Sequence, residues 1–64
     1  MPSHDSDITL CIGDRVEHEV FGTGVVVGWK NEGPGRGYTN RVRLDSDGST
    51  HHIRTHRLEV LRDH

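Results

Sequence analysis

Turn signals recur about every ten residues along this chain, a spacing that leaves no room for a helix of ordinary length. Gly13-Asp14, Phe21-Gly22-Thr23-Gly24, the run from Asn31 to Gly37 and Asp45-Ser46-Asp47-Gly48 each interrupt the pattern. Nothing between them shows helical spacing over more than one turn. The pieces left over alternate apolar and polar residues with a period of two, the signature of half-buried strands. Gly24 to Lys30 is the clearest, rich in valine and ending on Trp29, with Val25, Val27 and Trp29 expected on one face and Val26 and Gly28 on the other. Tyr38 to Leu44 follows, Val42 and Leu44 pointing inward and Arg41 and Arg43 outward. The Asp-Gly pair at 47–48 predicts a hairpin into Ser49 to Arg54, where Ile53 faces the core, His51 shares its side, and His52 and Arg54 lie opposite.

The ends complete the outline. Ile8, Leu10 and Ile12 read as a short strand or a packed lead-in, and Arg15 to Val20 as a strand with Val16 and the stem of His18 inward. Thr55-His56-Arg57 reads as a short turn or a single 3₁₀ turn, before a last strand over Leu58 to Leu61. Five short strands separated by glycine-bearing turns predict an all-β fold, a small five-stranded barrel over 10–61 that closes and so removes its exposed edges. Residues 1–9 are expected to form a flexible arm, 62–64 a tail, and the loop from Asn31 to Gly37 to be long and mobile.

Size restricts function. Of 64 residues, 30% are apolar and only Phe21, Trp29 and Tyr38 are aromatic. Burying a large apolar side chain contributes roughly 1.5–3 kcal/mol, while ordering each residue costs about 1.5 kcal/mol. A core so small cannot also be hollowed into an active site. Chemistry would need a shallow surface or a pore between subunits. One cysteine, Cys11, allows neither an intrachain disulfide nor a paired-cysteine zinc site, and its surroundings read as those of an ordinary half-buried thiol. The densest apolar run is Val25-Val26-Val27, so neither a signal peptide nor a membrane span is expected, and the chain reads as soluble and cytoplasmic.

Charge is unevenly spread. The formal total is −2. Residues 1–32 set Asp5, Asp7, Asp14, Glu17, Glu19 and Glu32 against Arg15 and Lys30, a balance of −4. Residues 33–64 set six arginines (36, 41, 43, 54, 57 and 62) against Asp45, Asp47, Glu59 and Asp63, a balance of +2. Arginine suits bidentate contact with carboxylate or phosphate. Six histidines are present, but His51 and His52 are neighbours on a strand and face opposite ways, and His52 and His56 have a spacing that suits a metal only on a helix. No metal site and no cofactor are expected. The glycines at 33, 35 and 37 do not lead from a strand into a helix, so they form no dinucleotide fingerprint.

The segment Gly13-Asp14-Arg15-Val16-Glu17-His18-Glu19-Val20-Phe21-Gly22-Thr23-Gly24-Val25-Val26 resembles the opening of the Tudor-like, SH3-like barrel at the C-terminus of UvrD/PcrA-type DNA helicases. Every fixed position of the pattern Gly-Asp-x-Val-x-His-x-x-Phe-Gly-x-Gly-x-Val is met. Val42 to Asp45, Asp47-Gly48 and Leu58 to Leu61 are similar to that module's closing hairpin and last strand, so the likeness covers residues 10–61. In its own terms the motif specifies fold: Val16 and Phe21 supply core, Gly22 and Gly24 the turn, and His18 a cap beside it. The resemblance implies an adaptor that docks on protein, with RNA polymerase or a repair factor as partner. These 64 residues carry no helicase segment of their own, and the Gly-Pro loop at 31–37 is longer.

A second resemblance runs through Gly13 to Val16, Val26 to Trp29, Gly37-Tyr38, Gly48-Ser49 and Leu58-Glu59. These are similar to the plasmid-borne type II, trimethoprim-resistant dihydrofolate reductases, SH3-like barrels that form homotetramers around a pore. That family's Val-Gln-Ile-Tyr segment aligns with Thr50-His51-His52-Ile53, so the glutamine and tyrosine are missing; His51, His52 and Ile53 would line the pore. The helicase likeness, with a core too small to hollow out, favours a non-catalytic protein-binding module. Its expected surface comprises Trp29, Arg36, Tyr38, Arg41, Arg43, His52 and Arg54, with the aromatics as anchors and the arginines meeting acidic groups. The same residues could instead bind a nucleic-acid strand weakly.

Overall fold

The computed structural model describes residues 9–61. It contains strands β1 (Arg15–His18), β2 (Gly22–Asn31), β3 (Tyr38–Leu44), β4 (Thr50–Ile53) and β5 (Glu59–Val60), with one 3₁₀ turn, Thr55–Arg57, between the last two. The five strands form one antiparallel sheet in the order β4-β3-β2-β1-β5. Among the described residues no helix is long and apolar enough to cross a membrane. The expected arm and tail lie outside the described residues, Thr9 excepted.

The sheet is all-β as expected, but it does not close into a barrel. β4 and β5 are its two edges and do not pair with each other. The reason lies in strand length: β5 has two residues, both facing β1 as Val16↔Val60 and Glu17↔Glu59. The segment before it folds into the 3₁₀ turn, after which Leu58 packs on the core. The edges therefore stay open.

Val16, Val26, Val42, Leu44 and Ile53 form the buried core, one or two from each of the first four strands, with Leu10, Leu58 and Val60 packed against it. Gly24 belongs to the same row. It sits opposite Leu44, and a Cβ there would come 2.6 Å from the Arg43 carbonyl oxygen and 2.8 Å from Val42 Cγ1. Only glycine lets β2 and β3 approach so closely.

Two local features depart from simple alternation. The β2–β3 register shifts between Val26 and Gly28, leaving Val27 as the extra residue of a bulge. One extra residue reverses every later side chain. Val26 is opposite Val42 and fully buried, whereas Trp29 is opposite Asn40, so Trp29 stands on the core side of the sheet and does not share a face with Val25. Phe21, expected in the core, lies in the β1–β2 turn and is 40% exposed. Its ring stacks between His18 and His51, at centroid distances of 4.7 and 4.5 Å. His18 caps the turn as expected, its Nδ1 accepting the amides of Val20 (3.0 Å) and Phe21 (3.2 Å). The lead-in is packed rather than paired: Leu10 is half-buried against the core, while Ile12 is 61% exposed.

Candidate binding face

Alternation along β3 decides which candidate residues meet. Arg41 and Arg43 point to the outer face and Asn40, Val42 and Leu44 to the core, while Thr39 shares the arginines' side by alternation but is buried. Cross-strand partners share a face. On the outer side Arg41 therefore lies between Gly28 and His52, and Arg43 between Val25 and Thr50. Arg41 runs over Gly28, whose missing side chain leaves it room: a Cβ there would be 3.6 Å from Arg41 Cδ. Trp29 and Tyr38 occupy the other side, opposite Asn40 and Asn31. The expected patch is thus divided. Aromatic anchors and arginines stand on opposite faces, Tyr38 by the alternation of β3 and Trp29 because the bulge at Val27 turned it away.

The arginines themselves differ. Arg54 Nη1 donates to the carbonyl oxygens of Arg36 (2.6 Å) and Tyr38 (3.4 Å), so this guanidinium fastens the 31–37 loop to β4. Arg36 contributes its backbone to that contact. The loop is also closed by Glu32 N–H to Gly37 O, Arg36 N–H to Gly33 O and Gly33 N–H to Asn31 Oδ1, so it is held at several points where sequence reading expected mobility. Arg15 pairs with Asp45 at 2.9 Å, and Thr23 Oγ1 donates to the same carboxylate oxygen. Arg41 and Arg43 have neither an ion pair nor a hydrogen bond among the described residues, and both are exposed.

At the loop end of this outer face, the Thr39 hydroxyl donates to Glu32 Oε2 at 2.7 Å. That bond, with the positive charges of Lys30, Arg54 and His52 nearby, holds the Glu32 carboxyl below its usual range. Asp47 is lowered too, by the backbone N–H and hydroxyl of Ser49. A carboxyl lowered on folding adds stability above its unfolded pKa and loses it as pH falls through the folded value. Thr39→Val should therefore return Glu32 towards the ordinary carboxylate range and remove its share of the acid-limb pH dependence of stability. NMR titration of the Glu32 side chain measures this directly, and an unmoved midpoint would reject the assignment.

Sequence reading missed the buried polar hub. Asn40 is fully buried. Its Oδ1 accepts the Leu10 amide at 2.9 Å, and its Nδ2 donates to Ile53 O (3.1 Å) and Thr55 Oγ1 (2.9 Å). Trp29 Nε1 donates to the Leu10 carbonyl at 2.7 Å. Asparagine in mid-strand, at an inward position two residues before Val42, was the available signal, since strands disfavour it.

Shallow clefts mark the surface among the described residues. One of about 410 Å³ is lined by Glu17, Glu19, His56, Arg57, Leu58 and Glu59, and one of about 290 Å³ by Val25, Arg43, Leu44, Asp45 and Gly48. Only Arg43 among the expected site residues lines either. His51 and Ile53 face inward and His52 outward, so no single surface of one chain presents all three. No protein-family model, curated protein or solved structure matches the chain.

Proposed function

We propose that this chain is a non-catalytic binding module that docks an acidic stretch of a partner protein on its outer sheet face. One observation carries the reading: Arg41 and Arg43 stand two residues apart on one face without internal partners, while Arg15 and Arg54 are engaged within the fold. A guanidinium free on a rigid strand meets a carboxylate with little reordering. His52 beside Arg41 extends the same surface. The four-stranded meander, with a 3₁₀ turn and a final strand that returns to β1, supports an SH3-like reading left open at both edges. The likeness to the helicase modules then favours an adaptor, with RNA polymerase as the first partner to test.

A nucleic-acid interface draws less from this geometry, because stacking platforms need to stand among the basic groups, and here Trp29 and Tyr38 are on the far side of the sheet. The test is capture of purified RNA polymerase, and of proteins from a bacterial lysate, by wild type and by Arg41→Glu/Arg43→Glu. Charge reversal should lower recovery about tenfold or more, a change of 1.4 kcal/mol per decade, while Arg57→Glu, in the cleft beside β5 at the opposite edge of the sheet, leaves it intact. Equal recovery by all three proteins would refute the docking face.

A further inference from the structure

β4 is an open edge, and the docking reading above leaves its free side unused. Antiparallel partners alternate hydrogen-bonded and non-bonded pairs. The Leu44 amide donates to the Ser49 carbonyl at 2.8 Å where the hairpin begins. By alternation through the register, Val42↔His51 and Asn40↔Ile53 are the bonded pairs, and Arg43↔Thr50 and Arg41↔His52 the non-bonded ones. The backbone N–H and C=O of Thr50 and His52 therefore point away from β3. Among the described residues β4 pairs with no strand on that side. Exposed edges are usually blunted by proline, lysine or a bulge; Thr50-His51-His52-Ile53 has none of them.

We infer that the acidic partner segment binds as an added strand along β4, resting on the docking reading above and specifying its geometry. Added strands take affinity from main-chain bonds and selectivity from alternate side chains. Thr50 and His52 would supply two donors and two acceptors. Side chains of the added strand beside them lie on the outer face, within reach of Arg43 and Arg41 one strand further in, so carboxylates are favoured there. The position between them faces the core side, next to His51 and the half-exposed ring of Phe21 stacked on it, and favours an apolar side chain. The recognised pattern is acidic, apolar, acidic. The β5 edge offers no such match, since Glu17 and Glu59 are directly opposed there and would repel the same segment.

A capped synthetic peptide of alternating glutamate and valine serves as the probe. With wild-type protein, amide exchange at Thr50 and His52 should slow at least tenfold on saturation, and peptide N-methylated at the donating positions should bind at least tenfold more weakly. Methylation acts on the peptide, so the result does not depend on a variant folding. If Arg41→Glu/Arg43→Glu abolishes binding but those amides stay unprotected and N-methylation has no effect, the strand geometry is overturned while the docking face stands. If charge reversal changes nothing, both fail. Protection of the same amides without peptide, rising with protein concentration, would assign the edge to a second copy and also overturn the inference.

Discussion

Asn40→Leu is expected to leave the chain largely unfolded at room temperature. The substitution keeps the volume roughly constant but removes the acceptor of the Leu10 amide and takes the Asn40 side-chain amide from the Ile53 carbonyl and the Thr55 hydroxyl. A buried amide left unsatisfied costs about 1–3 kcal/mol and each of the two other lost bonds about 1 kcal/mol, so the loss should come to about 3–5 kcal/mol. Domains hold roughly 0.05–0.15 kcal/mol of stability per residue, which leaves one this short little reserve. The effect is large because Asn40 joins three segments that have few other ties: the lead-in, the end of β4 and the 3₁₀ turn. Asn40→Asp should also destabilise at neutral pH, since it keeps the acceptor for Leu10 but sets an anion against the Ile53 carbonyl, and part of the loss should return once the carboxyl is protonated. Urea unfolding followed by Trp29 fluorescence measures both. A midpoint for Asn40→Leu close to wild type would show that the lead-in and turn dock without the hub.

Gly24→Ala should have the next largest effect, by a different route. The added methyl would lie 2.6 Å from a backbone oxygen of the neighbouring strand, an atom that cannot rotate aside. Overpacking of this kind costs about 2–3 kcal/mol, which for a domain of this size lowers the melting midpoint by roughly 10–20 °C. Gly22→Ala isolates the alternative cause. At Gly22 φ is 85° and no atom lies within 4 Å of the added Cβ, so only backbone strain of about 1–2 kcal/mol applies. If the two variants melt together, close strand approach is not what Gly24 provides.

The parts of the fold that follow from alternation were legible in the sequence. Val42, Leu44 and Ile53 reach the core because their strands are regular, and the hairpin at Asp45 to Gly48 and the 3₁₀ turn at Thr55–Arg57 follow from local turn chemistry. Alternation also placed Arg41 and Arg43 outward. What it could not supply was the count of residues between paired positions. The bulge at Val27 lies within a valine run that looks the same in either register, so the face occupied by Trp29 was not determined by pattern. Closure of the sheet was equally hidden, because it depends on how many residues of the last segment pair rather than on how apolar they are. Phe21 shows a third limit: an aromatic ring beside two glycines reads as core, yet two histidine rings give it a resting place at the surface.

The surplus residue in β2 also restricts what mutation can do to this molecule. Bringing the indole round to join the guanidiniums requires a change in chain length, and no single replacement of one amino acid by another supplies that. Drift by substitution can recolour the arginine side from basic to neutral or acidic, but it leaves the indole on the far side, so stacking beside the guanidiniums would have to come from His52 or from a ring newly placed on that side.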